Sequence, residues 1–332
     1  MQHMLRKLVL AGIVVIGTSC SDTPNNEIVA PSTGPTLNAA GGSALGSKLV
    51  FVSERHSPPA DPRVFTFLEI YASNGDGTDP VRLTNNSSQE FFPTWSPNGK
   101  EIVFDSNQGF APANQKTLYI MRDDGTQQRP LTRGSSASWS PNGKQLAFHD
   151  AGVLIPADSD IFVIDADGSG RTNLTRSSGV NTDADWSPDG RKILFTSTRA
   201  GGINIYVMNA DGSDVTQLTL DAVAENAGPD WSPNGKRIVW ARRDLALAAP
   251  HNRFEIYLMN ADGTDLKRLT TNTFLDATPS WSPDGKQIVF HSNRQGGRPQ
   301  LYVMNADSTD QTAISSGPGR NQWANWGNGH AR

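Results

Sequence analysis

With 332 residues the chain is long enough for two ordinary domains, but 29 Lys and Arg against 33 Asp and Glu leave a formal net charge of −4, without the basic excess of a nucleic-acid binder. Its 31 glycines and 21 prolines, with no long apolar helical pattern beyond residue 20, exclude a helical bundle and read as an all-β chain rich in tight turns.

The chain opens with Arg6 and Lys7, an apolar run over residues 8–17, then Thr18, Ser19 and Cys20. A basic start, a short apolar stretch and small residues are the parts of a secretory signal. The run is about half the length of about 20 residues that a bilayer span needs. Small residues ending on Cys resemble a bacterial lipobox, with Gly17 where Leu is usual. Cys20, the one cysteine, is therefore the expected lipidation site behind a signal over residues 1–19. Ser21 follows, which in a diderm host points to the outer membrane. Residues 20–47, with Pro24, Pro31, Pro35, Gly41 and Gly42 among Ser, Thr and Asn, read as the lipidated Cys and a flexible tether.

From residue 48 the same words recur. Trp-Ser-Pro-Asn/Asp-Gly-Lys/Arg begins at Trp95, Trp139, Trp186, Trp231 and Trp281, with a worn copy at Trp326. A strand word of the Ile-Val-Phe type starts at Leu49, Ile102, Leu146, Ile193, Ile238 and Ile288. A third, of the Ile-Tyr-Val-Met-Asn-Ala-Asp-Gly type, starts at Ile70, Leu118, Ile161, Ile205, Ile256 and Leu301. The fourth is Leu-Thr at Leu83, Leu131, Leu174, Leu218 and Leu269, with Ile314-Ser last. Short β-branched runs between Pro, Asn, Asp and Gly are strands, and Ser-Pro-Asp-Gly and Asp-Gly-Thr are hairpin turns.

Four strands in an antiparallel meander, repeated about every 45 residues, predict a propeller blade. Residues 48–332 then form a six-bladed β-propeller. Its first blade lacks a Trp strand, and the strand around Trp323 and Trp326 supplies it, closing the ring by pairing with the N-terminal strands.

These words resemble the TolB-like, WD40-like propellers built on the Trp-Ser-Pro-Asp-Gly repeat, and the likeness spans residues 48–326. Proteins of the TolB type carry an α/β domain ahead of the propeller, where this sequence has the tether. The resemblance implies the fold, export to the cell envelope and a habit of binding proteins.

What recurs in six blades serves the blade, and what varies is free for function. The variable connections lie on the face opposite the two uniform turns. They predict a partner-binding face from Arg55, His56, Phe91, Phe92, Phe110, Arg242, Arg243, His251, Phe274 and Leu275, residue types that dominate interfaces. The alternative is that the phenylalanines tuck under their own loops.

Before each Trp stands a small polar residue: Thr94, Ser138, Asp185, Asp230, Ser280 and Asn325. This ring, with Asp183, is expected near the central channel. Asp183, Asp185 and Asp230 either hold a cation or a partner's Lys or Arg, or bond nearby backbone. Asp165-Ala-Asp-Gly-Ser-Gly170 fits the opening of a calcium loop, but Arg176 stands where the bidentate Glu belongs, so a turn is expected and no cofactor or metal.

No His-Glu-x-x-His or Gly-x-Ser-x-Gly motif occurs, His149 and His291 read as strand residues, and no catalytic residue is predicted. The leading expectation is a non-enzymatic, monomeric envelope lipoprotein that binds a protein partner and touches the membrane through its anchor alone. The alternatives are a carbohydrate or small-ligand binder, and a polysaccharide lyase or hydrolase with residues drawn from several blades.

Overall fold

The computed structural model describes residues 47–56, 67–108, 116–151, 159–176, 179–220, 222–247, 253–317 and 319–327. Cys20, Phe110 and His251, with the expected signal and tether, lie outside the described residues.

Among the described residues all regular structure is strand, arranged as six four-stranded antiparallel sheets. Blade 4 shows the plan. Its innermost strand Asn181–Trp186 pairs with Lys192–Ser197, which pairs with Asn204–Asn209, which pairs with the short edge strand Thr216–Gln217. The other innermost strands are Glu90–Trp95 in blade 2, Ser135–Trp139 in blade 3, Ala224–Trp231 in blade 5 and Asp276–Trp281 in blade 6. Blade 1 takes its innermost strand, Asn321–Gly327, from the far end of the sequence. That strand pairs with Lys48–Ser53 in the expected closure, with Lys48 opposite Gly327. Each innermost strand touches the innermost strand on either side, so the ring is complete.

Each repeated word has a local cause. In Trp186-Ser-Pro-Asp-Gly, Asp189 Oδ1 accepts from Ser187 Oγ at 2.6 Å and from the Arg191 N–H at 3.0 Å, while Ser187 Oγ accepts the Lys192 N–H at 2.9 Å. Gly190 takes the left-handed conformation (φ 70°) that this turn requires. In the Asp-Gly-Ser turn of the same blade, Asp211 Oδ1 accepts the Ser213 N–H and hydroxyl. The Thr of the Leu-Thr word reaches back into the third strand. Thr219 Oγ1 accepts the Ile205 N–H at 2.9 Å and donates to Asn204 Oδ1 at 3.0 Å. The same pair of bonds links Thr84 to Ile70 and Glu69, Thr175 to Ile161 and Asp160, and Thr270 to Ile256 and Glu255.

The core lies between blades. Trp186, 8 % exposed, packs with Ile193, Phe195 and Met208 of its own blade against Ala147, Ile161 and Val163 of blade 3. At the closure, Leu49, Phe51, Tyr71 and Trp326 pack on Val289, Leu301 and Val303 of blade 6.

Each innermost strand also carries a β-bulge three residues before its Trp. The bulge residue is left-handed in every blade: Trp323 (φ 53°), Phe92 (46°), Ser136 (52°), Asp183 (53°), Gly228 (57°) and Thr278 (49°). The bulges form a tier at the end of the axis remote from the two uniform turns.

Candidate functional site

The bulge tier is a ring of six side-chain positions that the fold leaves free to differ. A bulge needs positive φ, and only blade 5 meets that need with glycine, Gly228. Phe and Trp in this conformation are outliers that cost about 1–3 kcal/mol each. Blades 1 and 2 nevertheless place Trp323 and Phe92 there, in adjacent positions, with ring centroids 4.7 Å apart. Phe91 joins them, 5.5 Å from Trp323.

From this aromatic wall a polar arc runs round the crater. Lys116 holds its ammonium 4.0 Å above the Phe91 ring and 3.8 Å from Asp105 Oδ2. Asp105 also accepts from the Ser135 hydroxyl and, at 3.0 Å, from the Ser136 N–H. Burial pushes Asp105 up to about 6 although Lys116 opposes the shift, and burial pushes Lys116 down. Ser135 stands opposite His149 in the strand register. His149 Nδ1 is buried with no protein hydrogen-bond partner. Burial holds this imidazole down at about 4, against the pull of the Asp183 carboxylate. Asp183 accepts the Gly228 N–H at 3.2 Å, carrying the arc to blade 5. In blade 6 the bulge residue Thr278 meets His291 Nδ1 at 2.7 Å.

One tier deeper, five of the six residues that precede a Trp, Thr94 being the exception, bond across the seam to a neighbouring blade. Asn325 Oδ1 accepts the Trp95 N–H at 3.2 Å, Asp185 Oδ2 the Trp231 N–H at 2.9 Å, and Asp230 Oδ2 the Trp281 N–H at 2.8 Å. Asp185 Oδ1 also accepts from the Ser138 hydroxyl at 2.8 Å. Burial pushes Asp185 up to about 6, and burial together with the neighbouring Asp185 pushes Asp230 well above its ordinary value. These acids strap blades together. Among the described residues no group of three or more His, Cys, Asp or Glu is placed to hold a metal ion. In the calcium-like segment Asp167 Oδ1 accepts the Ser169 N–H and hydroxyl, as the matching Asp does in other blades.

The residues expected on the partner-binding face divide. Phe91 and Phe92 stand in the crater wall, and Phe274, 41 % exposed, lies on the same end of the ring. Leu275 is half-buried, its N–H donating to Asn293 Oδ1. Arg55 is a blade cap instead. Its guanidinium covers Phe51 and Tyr71 at 5.4 and 4.9 Å and donates to Asn321 Oδ1, as Arg199 does over Phe195 and Tyr206 and Arg294 over Phe290 and Tyr302. His56 stacks on Tyr71 and its Nδ1 bonds the phenol. Arg242 lies over Tyr257, and Arg243 pairs with Glu225 over Phe254.

Trp323, Lys116, Asp105 and Ser135 were not singled out by the sequence. Trp323 was findable, since it sits three residues before Trp326 as Phe92 does before Trp95. Beside the crater, blade 5 has a longer hairpin, Ala224–Trp231 with Arg237–Asp244, whose open end, away from its turn, exposes Val223 and Leu245.

Comparison with known proteins agrees with this architecture. A family model described as the TolB beta propeller domain matches residues 132–249 and 243–330. The Tol-Pal system protein TolB of Bordetella pertussis is 34 % identical over 149 residues, 44 % of this chain and 33 % of that protein. A TolB homologue of Chlorobium luteolum is 30 % identical over 167 residues, 50 % of this chain and 35 % of that protein. The chain thus covers about a third of the length of these curated relatives. The crystal structure of TolB from Acinetobacter baumannii superposes with a TM-score of 0.71 at 22 % identity, over 84 % of this chain and 66 % of that one, a likeness of fold. With the six blades, their shared words and the family match over more than half its length, the chain belongs to the TolB β-propeller domain family.

Proposed function

We propose that this protein is a non-enzymatic, protein-binding propeller of the bacterial cell envelope, held to the membrane by a lipid on Cys20 and presenting its crater to an envelope protein. The observation that carries the reading is the aromatic wall. Phe91, Phe92 and Trp323 cluster on the end of the ring where the connections vary, the last two at bulge positions that need only a left-handed backbone. Large aromatics beside Lys116 are the side chains on which interface energy concentrates. Relatives named as Tol-Pal system proteins support an envelope setting and a protein partner.

The test is a cross-linking pull-down from the native envelope with the full chain as bait. The control carries Phe91→Ala, Phe92→Ala and Phe274→Ala. A protein captured by the bait and lost with the control is the expected result. A folded bait that captures nothing overturns the reading.

A further inference from the structure

We propose that the crater is a subsite for one neutral pyranose ring, as it occurs within a glycan chain, and this goes beyond the protein-docking reading. Trp323 and Phe92 form one wall, with Phe91 behind them. Asp183 belongs to the blade three steps round the ring from Trp323, so acid and indole face each other across the axis. Between them the polar arc offers Lys116 as a donor, Asp183 as an acceptor and Thr278 as both, with the buried, unpartnered Nδ1 of His149 beside them.

Three features select the ligand class. First, mixed donors and acceptors beside an aromatic wall match a ring with one face of C–H bonds and an edge of hydroxyls. Second, Lys116 is met by Asp105 at 3.8 Å, so an anionic ligand finds no unopposed cation on the arc. Third, a buried polar atom without a partner calls for an explanation, and His149 Nδ1 lies on this arc. An alkyl chain would satisfy the aromatic wall and leave His149 Nδ1 unmet. A pyranose satisfies both sides, in the usual manner of a pocket with an apolar lining and a few placed polar groups. The left-handed backbone at Phe92 and Trp323 adds a fourth argument. Gly228 shows that the bulge itself does not need them, so the strain is retained for what the side chains contact.

The experiment is saturation-transfer NMR on the full chain with chitotetraose, cellotetraose, maltotetraose and xylotetraose as probes. At least one probe is expected to receive saturation, most strongly at its ring C–H protons. Trp323→Ala should abolish the transfer and Trp323→Phe, which keeps an aromatic face, should retain it. Asp183→Asn should weaken binding about tenfold, the loss of one good polar contact. If Trp323→Ala lowers the melting midpoint, Phe92→Leu takes its place and is expected to lose transfer. No transfer from any probe overturns the proposal, and so does transfer that survives loss of the aromatic wall in a folded variant. Because the pull-down reads protein capture alone, either proposal can fail without the other.

Discussion

Asp185 Oδ2 accepts the backbone N–H of Trp231 at 2.9 Å, from one blade to the next. Asn325 does the same for Trp95, so an amide serves this position as well as a carboxylate. Burial raises Asp185 from 3.8 to about 6. A carboxyl with a raised native pKa contributes stability that is complete below the unfolded value and is lost as pH rises through about 6. Asp185→Asn should therefore stabilise the ring at pH 7.5 relative to the native protein and lose that advantage near pH 4. Paired thermal melts at the two pH values decide this, and an advantage equal at both would refute it.

The indole of Trp186 fills the seam between blades 3 and 4. Trp186→Ala should cost about 3–5 kcal/mol. Urea unfolding with an unchanged midpoint would show that the seam does not depend on this side chain.

Thr270 couples two buried partners, accepting the Ile256 N–H at 2.9 Å and donating to Glu255 Oε2 at 2.5 Å. Thr270→Val keeps the shape and removes both bonds, leaving donor and acceptor unmet. A loss of about 1–3 kcal/mol is expected in chemical denaturation. Thr270→Ser, which restores the hydroxyl, should recover most of it.

At the closure, Glu54 of blade 1, 4 % exposed, receives Arg298 Nη1 at 2.5 Å and Arg320 Nε at 3.4 Å, the latter carried by the loop entering the closing strand. The arginines remain partly in water, which screens the pairs, so Glu54→Gln should cost about 1–2 kcal/mol. Limited proteolysis near residue 320 should accelerate with it. Unaltered cleavage would mean that the strand ladder alone holds the seam.

Ser136 is the simplest probe of the bulge. Its N–H donates to Asp105, a bond that glycine keeps, and its φ of 52° suits glycine better. Ser136→Gly should raise stability by about 0.5–1 kcal/mol. A decrease would show that the bulge conformation is not strained there.

The blades were legible in the sequence because their cause is local. Ser187, Asp189 and Gly190 close their turn with bonds inside six residues, so the word announces the structure. The closure was legible because a Trp strand was missing at one end and spare at the other. The crater was legible only in part. Phe91 and Phe92 stood out as aromatics before a Trp word, but their alignment with Trp323 depends on a bulge that shifts strand register by a residue, a backbone event without a side-chain signature. Lys116 and Asp105 are ordinary residues of a strand hairpin until the fold sets them against Ser135 of the next blade. Arg55 illustrates the reverse. As a loop arginine it suggested a binding face, yet the Ser-x-Arg that follows the second strand word in blades 1, 4 and 6 sets it over an aromatic pair, a contact that the paired strands reveal.

Because Lys48 stands opposite Gly327, both extremities of the folded ring leave from the rim that bears the uniform turns, away from the crater. A dye, a bead or a sensor surface attached at either extremity thus leaves the aromatic wall unobstructed, and the protein can be immobilised in one orientation with its crater open to the solution.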